Sequence, residues 1–245
     1  MRRRWLASVL LLTAIAACGS DMSDRKELSR ERAAMMDAIR YSVRDSADYT
    51  GREALSERVM DAMAAVPREE FVLPAYRHLA YQNTPLPIAA GQTISQPLIV
   101  ALMTDLLDPQ PGEVMLEVGT GSGYQAAVLA HLVKHVYSVE IIPELAESAA
   151  ATLQRLGYAN VTVRAGDGYA GWPEHAPFDG IIVTAAADEI PPPLLRQLRP
   201  GGKLVIPVGV EQGYQELLLV EVNAEGEVER RSMLPVRFVP LTGDH

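Results

Sequence analysis

From residue 113 onward the chain alternates short apolar runs with helix-spaced segments, and the first run ends in a glycine-rich turn. Residues 114–118 are apolar apart from Glu117. Gly119-Thr120-Gly121-Ser122-Gly123 follows, and 126–133 has helical spacing. A second apolar run, 136–139, ends at Glu140. Residues 143–156 read as a helix, and 161–164 as a third strand ending near Asp167-Gly168. The spacing predicts a fourth strand over 179–184, a helix over 191–198 and a fifth strand over 203–208, after the turn Pro200-Gly201-Gly202. Strands separated by helices pair in parallel, and a parallel sheet has to be covered on both faces. The tail changes pattern: 216–222 and 228 onward flank a tight turn at 223–226, with a further strand-like piece at 236–240. Consecutive strands joined by a short turn pair antiparallel. The expected fold is therefore α/β: a central, mostly parallel sheet with helices on both faces and an antiparallel C-terminal edge.

An apolar strand entering a glycine-rich turn and a helix is a nucleotide-type site, because glycine lets a ligand approach the backbone and helix N–H groups point at it. The dinucleotide fingerprint needs a last glycine where this chain has Tyr124, so the turn is G-x-G-x-G. Glu117 precedes it. An acid there opposes a pyrophosphate and suits a cationic ligand. Glu140, 21 residues after Gly119, suits a ribose diol, since a carboxylate accepts two hydroxyl hydrogens. Asp167 could accept from an adenine amino group. A nucleoside with a positive charge and no phosphate is S-adenosylmethionine, whose demethylated product is S-adenosylhomocysteine. The cofactor-binding set expected from this reading is Glu117, Gly119, Thr120, Gly121, Gly123, Glu140 and Asp167. The arrangement resembles the class I methyltransferases. Glu140 and Asp167 could instead be solvated caps, and Glu117 could serve only to orient the turn.

Other segments carry a more specific resemblance. Val66-Pro67-Arg68-Glu69-Glu70-Phe71-Val72, Pro85-Leu86-Pro87-Ile88, Gly91-Gln92-Thr93-Ile94-Ser95-Gln96-Pro97, Gly166-Asp167-Gly168, Pro207-Val208-Gly209 and Val239-Pro240-Leu241-Thr242 closely resemble the protein-L-isoaspartate O-methyltransferases. The likeness runs from about Leu55 to Thr242. It implies the Rossmann-like, seven-stranded form of the sheet, and methyl transfer to the free α-carboxylate of isoaspartyl residues in damaged proteins and peptides. It places the active-site serine at Ser95, with Thr93 and Ile94 beside cofactor and substrate. Glu140 becomes the ribose acid, Asp167 and Gly168 the adenine pair, and Thr242 part of a closing C-terminal segment. Gln92, Thr93 and Ser95 are the expected substrate contacts. Some members carry a histidine at the position of Val100, so no basic side chain acts there. A carboxylate is already nucleophilic, so the reaction needs placement and dryness rather than a strong base. Ser95 then orients the acceptor and could also cap the helix expected over 95–107. The loop 82–92 either walls a peptide groove or is plain packing. His78, His131, His135, His175 and His245 have no ligand-like spacing, and no metal is expected.

The first residues read differently. Arg2, Arg3 and Arg4 precede an uncharged run, 5–17, that is 13 residues long and too short to span a bilayer comfortably. It ends Ile15-Ala16-Ala17-Cys18, which resembles a bacterial lipoprotein signal lipidated at Cys18. The expected organisation is a signal peptide over 1–17, a tether or N-terminal helix over 18–45, and one methyltransferase domain over 46–245. Within that domain 46–112 is the substrate side and 113–245 the cofactor-binding core. Helical spacing recurs at 35–43 and 56–65. The expected location is the cell envelope, as a lipid-anchored periplasmic protein, or the cytoplasm if translation starts at Met22. Cys18 is the single cysteine, which excludes a disulfide scaffold and a cysteine zinc site. Net charge −9 argues against nucleic acid as partner. So does Thr184-Ala185-Ala186-Ala187 after the fourth strand, where base methyltransferases carry an Asp/Asn-Pro-Pro-aromatic segment. The expected partners are isoaspartyl peptides and proteins, with the membrane met only through the lipid, and the expected state is a monomer. The alternatives are a small-molecule carboxyl methyltransferase or a non-enzymatic, cofactor-binding envelope lipoprotein.

Overall fold

A computed structural model describes residues 6–210, 213–223 and 225–243; over residues 6–23 and at Arg25 it describes the backbone only. The helix α1 (Leu6–Asp45) is continuous, so the stretch read as a tether or frayed helix is helical. Its cysteine side chain, like residues 1–5 and His245, lies outside what is described. Met35, Met36, Ile39 and Val43 recur at helical spacing and are buried, which docks the C-terminal half of α1 on the domain. Among the described residues no helix is long and apolar enough to cross a membrane.

The short helix α2 (Ala47–Thr50) ends at Gly51, and α3 (Glu57–Ala65) starts at Ser56, whose hydroxyl accepts from the Val59 amide. Two short strands, β1 (Leu86–Pro87) and β2 (Thr93–Ile94), pair antiparallel and close the loop 82–92 on itself. This pairing corrects the helix expected over 95–107. Ile94 is in a strand and Gln96 is extended, so α4 (Pro97–Leu107) begins two residues later, with Pro97 in its first turn. Ser95 therefore does not cap that helix.

The core alternates β3 (Val114–Val118), α5 (Tyr124–Ala130), β4 (His135–Glu140), α6 (Pro143–Arg155), β5 (Val161–Ala165), β6 (Phe178–Val183), α7 (Pro192–Arg196), β7 (Leu198–Gly209), β8 (Gln215–Val222) and β9 (Val228–Val236). The seven strands lie in the order β5-β4-β3-β6-β7-β8-β9. The pairs from β5 to β7 are parallel, and β7-β8 and β8-β9 are antiparallel. This is the expected mixed sheet.

Two details differ from expectation. Pro200-Gly201-Gly202 does not precede the fifth strand but bulges within it: Phe178 pairs with Leu198 and Gly180 with Lys203, so β7 absorbs extra residues there. The tail beyond Val236 also leaves the sheet, and Pro240 instead forms a single bridge to Ala186. Side chains alternate between the two layers: Met115, Val136, Ile182 and Val205 meet α3, α4 and α5, while Leu116, Val118, Ile181 and Leu204 meet Trp172 and Leu194. Strand order reverses between β3 and β6, and a parallel sheet opens its ligand crevice at the carboxyl ends of such strands.

Candidate active site

The register places Val118 beside Val139 and Val183, so the strand ends of β3, β4 and β6 form one rim. From that rim the turn leaves with positive φ at Gly119, Gly121 and Gly123. At Gly119 a side chain is excluded twice over: φ is +94°, and a Cβ would sit 2.4 Å from Thr184 Oγ1. That hydroxyl donates to the Gly119 carbonyl at 2.5 Å, tying the turn to the end of β6.

Above the turn lies a cavity lined by Gln92, Thr93, Ile94, Ser95, Gly119, Gly121, Glu140, Gly168 and Thr242, all expected from sequence. Glu140 is 5% exposed and already accepts from two amides, Gly121 N at 2.8 Å and Ile142 N at 3.0 Å. Two oxygens offer about four acceptor sites, so lone pairs remain for a ligand. The bonds of Glu140 are caps, but the carboxylate faces the cavity. Among the described lining residues it is the one charged side chain, with no lysine, arginine or histidine. That lining suits a cationic, phosphate-free ligand with hydroxyls to donate.

Other expected residues stand behind this wall. Glu117 is completely buried, does not line the cavity and accepts a short hydrogen bond from Ser138 Oγ. Ser138 is in turn 2.5 Å from Thr120 Oγ1, so Glu117, Ser138 and Thr120 form a chain under the turn. Gly123 also lies outside the lining, as the residue before α5. Asp167 is outside it too: its Oδ1 accepts from Tyr169 N at 2.9 Å, capping the 3-10 turn Gly168–Ala170. Its neighbour Gly168 reaches the cavity, where a Cβ would meet Val118 Cγ1 at 2.4 Å.

Burial pushes the Glu117 carboxyl up to about 8, against the pull of the Ser138 hydroxyl, with the Glu140 charge adding to the rise. A carboxyl raised from its usual 4.5 in the folded chain binds its proton more tightly there than when unfolded. Its contribution to stability is therefore complete below about 4.5 and is lost as pH rises toward about 8. Glu117→Gln should flatten the fall in stability between these values, by an amount on the order of a few kcal/mol. Denaturant unfolding of both proteins across that window checks it. Parallel pH dependence in the two would rule out Glu117 as the titrating group.

Several lining residues were not among the expected site residues. Tyr124 and Gln125 open α5, and Val100 on α4 is buried as an apolar wall. Ile141, Ile142, Thr184 and Ala185 follow strand ends, a position that could have marked them. Gln215, 2% exposed, accepts from Phe238 N at 2.7 Å and pins the tail. Ala186 N donates to Val239 O at 2.8 Å and Leu241 N to Ala186 O at 2.7 Å, which holds residues 239–242 over the cavity.

A second cavity adjoins the first, lined mainly by Pro85, Leu98, Ile99 and the tail residues 234–239, including Arg237. Pro85 brings the loop 82–92 into that wall, whereas Gln92 lies on the first cavity. Thr93, Ser95, Thr184 and Val239 line both. A group crossing from one cavity to the other passes Ser95. Among the described residues no cluster of three or more possible metal ligands occurs.

Comparison with known proteins agrees with this geometry. The family described as Protein-L-isoaspartate(D-aspartate) O-methyltransferase (PCMT) matches residues 48–245. The chain is 57% identical over 237 residues to a Protein-L-isoaspartate O-methyltransferase 2 of Syntrophobacter fumaroxidans, covering 97% of this chain and 96% of that one. To a Polaromonas protein of the same name it is 61% identical over 209 residues, 85% of this chain and 99% of the other. A Plasmodium falciparum structure described as such a methyltransferase in complex with S-adenosyl-L-homocysteine superposes with a TM-score of 0.70 at 25% identity. The match covers 85% of this chain and 97% of that one.

Proposed function

The chain belongs to the protein-L-isoaspartate(D-aspartate) O-methyltransferase family, and from that premise we propose how its two adjoining cavities divide the reaction. The protein is an S-adenosylmethionine-dependent protein carboxyl O-methyltransferase acting on isoaspartyl residues. S-adenosylmethionine supplies an electrophilic methyl group on a sulfonium centre. The reading puts that cofactor in the cavity of Glu140 and the glycine turn, and the peptide in the cavity of Pro85, Leu98 and the tail. What carries it is the shared wall: Ser95 and Thr93 border both spaces.

In this reading Glu140 receives the ribose hydroxyls, and Gly119, Gly121 and Gly168 let the nucleoside lie against the backbone. Asp167, Thr120, Gly123 and Glu117 act from behind, holding the backbone that meets the cofactor. The Ser95 hydroxyl donates to the acceptor carboxylate and aims its free oxygen across the shared wall. The carboxylate is already ionised, so the residues at this wall would need to orient it toward the cofactor's methyl group and would not need to remove a proton. Thr93 completes the wall, and Thr242 with Leu241 covers the cofactor side and keeps water out.

The test uses two synthetic peptides that differ only in an isoaspartyl or a normal aspartyl linkage, incubated with methyl-labelled cofactor. Label is expected in the isoaspartyl peptide alone. Equal labelling of both, or of neither while the cofactor binds, would sink this assignment of the cavities.

The reading extends to the start of the chain. The cationic start, the uncharged run and the small residues before Cys18 support a lipid anchor there and a place in the cell envelope. Mass spectrometry of the membrane fraction should find Cys18 lipidated, with Cys18→Ser releasing the protein. Unmodified, soluble wild-type protein would refute the anchor.

A further inference from the structure

Arg68 is 0% exposed, yet among the described residues it forms no ion pair. Its Nε donates to the Ala80 carbonyl at 2.8 Å and its Nη2 to the Ser95 carbonyl at 2.7 Å. Its guanidinium lies 4.6 Å from the centroid of the Tyr124 ring. Nη1 is buried with no hydrogen-bond partner. The adjacent Glu69 does not serve as counter-ion, because it accepts from the Tyr81 hydroxyl and faces Arg32 at 3.8 Å. A buried cation without an acidic partner is costly. Burial also pushes its pKa down, but a guanidinium stays charged. Both residues that Arg68 touches toward the site, Ser95 and Tyr124, line the cofactor cavity, and that cavity has no cation of its own.

We propose that Arg68 is the positioning residue of the acceptor site: it holds the Ser95 backbone and the Tyr124 ring in place, and its unpaired charge selects an anionic acceptor at the Ser95 hydroxyl. Arg68 lines neither cavity, so its charge acts on the substrate carboxylate through space, from behind Ser95 and Tyr124. Planarity matters, since a guanidinium can stack on Tyr124 while two of its nitrogens reach two different carbonyls. An ammonium offers the charge without that geometry. This inference rests on the reading of Ser95 as the group that meets the acceptor.

The test compares binding of the isoaspartyl peptide with an analogue whose α-carboxylate is a carboxamide, in the presence of S-adenosylhomocysteine. Wild type is expected to prefer the carboxylate by about tenfold or more, as a charged hydrogen-bonded group in a poorly screened site should. In Arg68→Met that preference should fall to about threefold or less. Arg68→Lys should keep the preference while lowering kcat, because the charge survives and the grip on Ser95 does not. A merely structural role would weaken both peptides by the same factor and leave their ratio unchanged.

Full discrimination in folded Arg68→Met would overturn the proposal. So would its loss in Arg237→Gln alone, because Arg237 is the cation lining the second cavity. If Arg68→Met does not fold, Arg68→Lys decides: loss of discrimination there overturns the charge role. Wild-type protein that fails to methylate the isoaspartyl peptide would instead sink the reading of the site itself.

Discussion

Ser95→Ala is expected to lower kcat/KM for an isoaspartyl peptide by about 10²–10³, the usual effect of deleting one preorganised donor at a reacting centre. The affinity for S-adenosylhomocysteine should change by no more than a few-fold. Ser95 follows β2 and precedes α4, and its carbonyl is bonded to a buried arginine at 2.7 Å, so the hydroxyl is carried on a rigid backbone. Alanine removes one oxygen and leaves that backbone in place. In the proposed mechanism the acceptor carboxylate then loses its orienting donor and samples poses from which the methyl carbon is out of line. Steady-state kinetics with saturating cofactor, paired with calorimetric titration of the product cofactor, separates the two effects. An unchanged kcat/KM would remove Ser95 from the mechanism. A collapse of cofactor affinity would move its role to the other cavity.

The second large effect is expected at Glu140. Glu140→Ala should weaken cofactor binding by roughly 2–4 kcal/mol, about 30- to 1000-fold, because two kinds of partner are lost together. The Gly121 and Ile142 amides, bonded to the carboxylate at 2.8 and 3.0 Å, lose their acceptor, and in the proposed placement so do the ribose hydroxyls. The Gly121 amide belongs to the glycine turn, so part of the loss is a turn no longer held in its binding shape. Glu140→Gln keeps one acceptor oxygen and should fall between wild type and Glu140→Ala. The KM for peptide at saturating cofactor should move far less. Calorimetric titration of each variant measures this, and a Kd within about threefold of wild type in Glu140→Ala would show that the carboxylate does not meet the ribose.

How much of the site could be read in advance depends on the range of the forces that build it. Gly119, Glu140 and Gly168 lie at strand ends, and strand ends follow from local periodicity, so the rim of the first cavity was legible. Glu117 and Glu140 both end or nearly end an apolar run, and Glu117 was open to two readings, a ligand contact or a residue that only orients the turn. Only the pairing of β3 with β4 sets Glu117 opposite Ser138 and turns it into a buried, proton-holding support beneath the turn. Asp167 likewise looked like a direct contact, but its oxygen caps the next turn while Gly168 reaches the cavity. The helix expected from Ser95 begins at Pro97 because Thr93 and Ile94 pair with Leu86 and Pro87, a contact no window of helical spacing contains. Arg68 appeared only as part of a family motif; its burial and its bond to the Ser95 carbonyl come from segments 27 residues apart.

The sequence by itself determined the order of strands and helices, the parallel core with its antiparallel edge, the glycine turn with its acids, and the family to which these motifs belong. Those properties rest on dihedral preferences and on side-chain periods of 2 and 3.6, which act within a few residues. Tertiary structure alone decided which acid faces the cavity, that Ser95 stands between two cavities, that backbone bonds to Ala186 pin the tail from Val239 to Leu241, and that a buried arginine lies behind the serine. The physical reason is that burial, desolvation and hydrogen-bond partnership depend on which distant segments meet, and a carboxylate or guanidinium has its chemistry set by those neighbours rather than by its place along the chain.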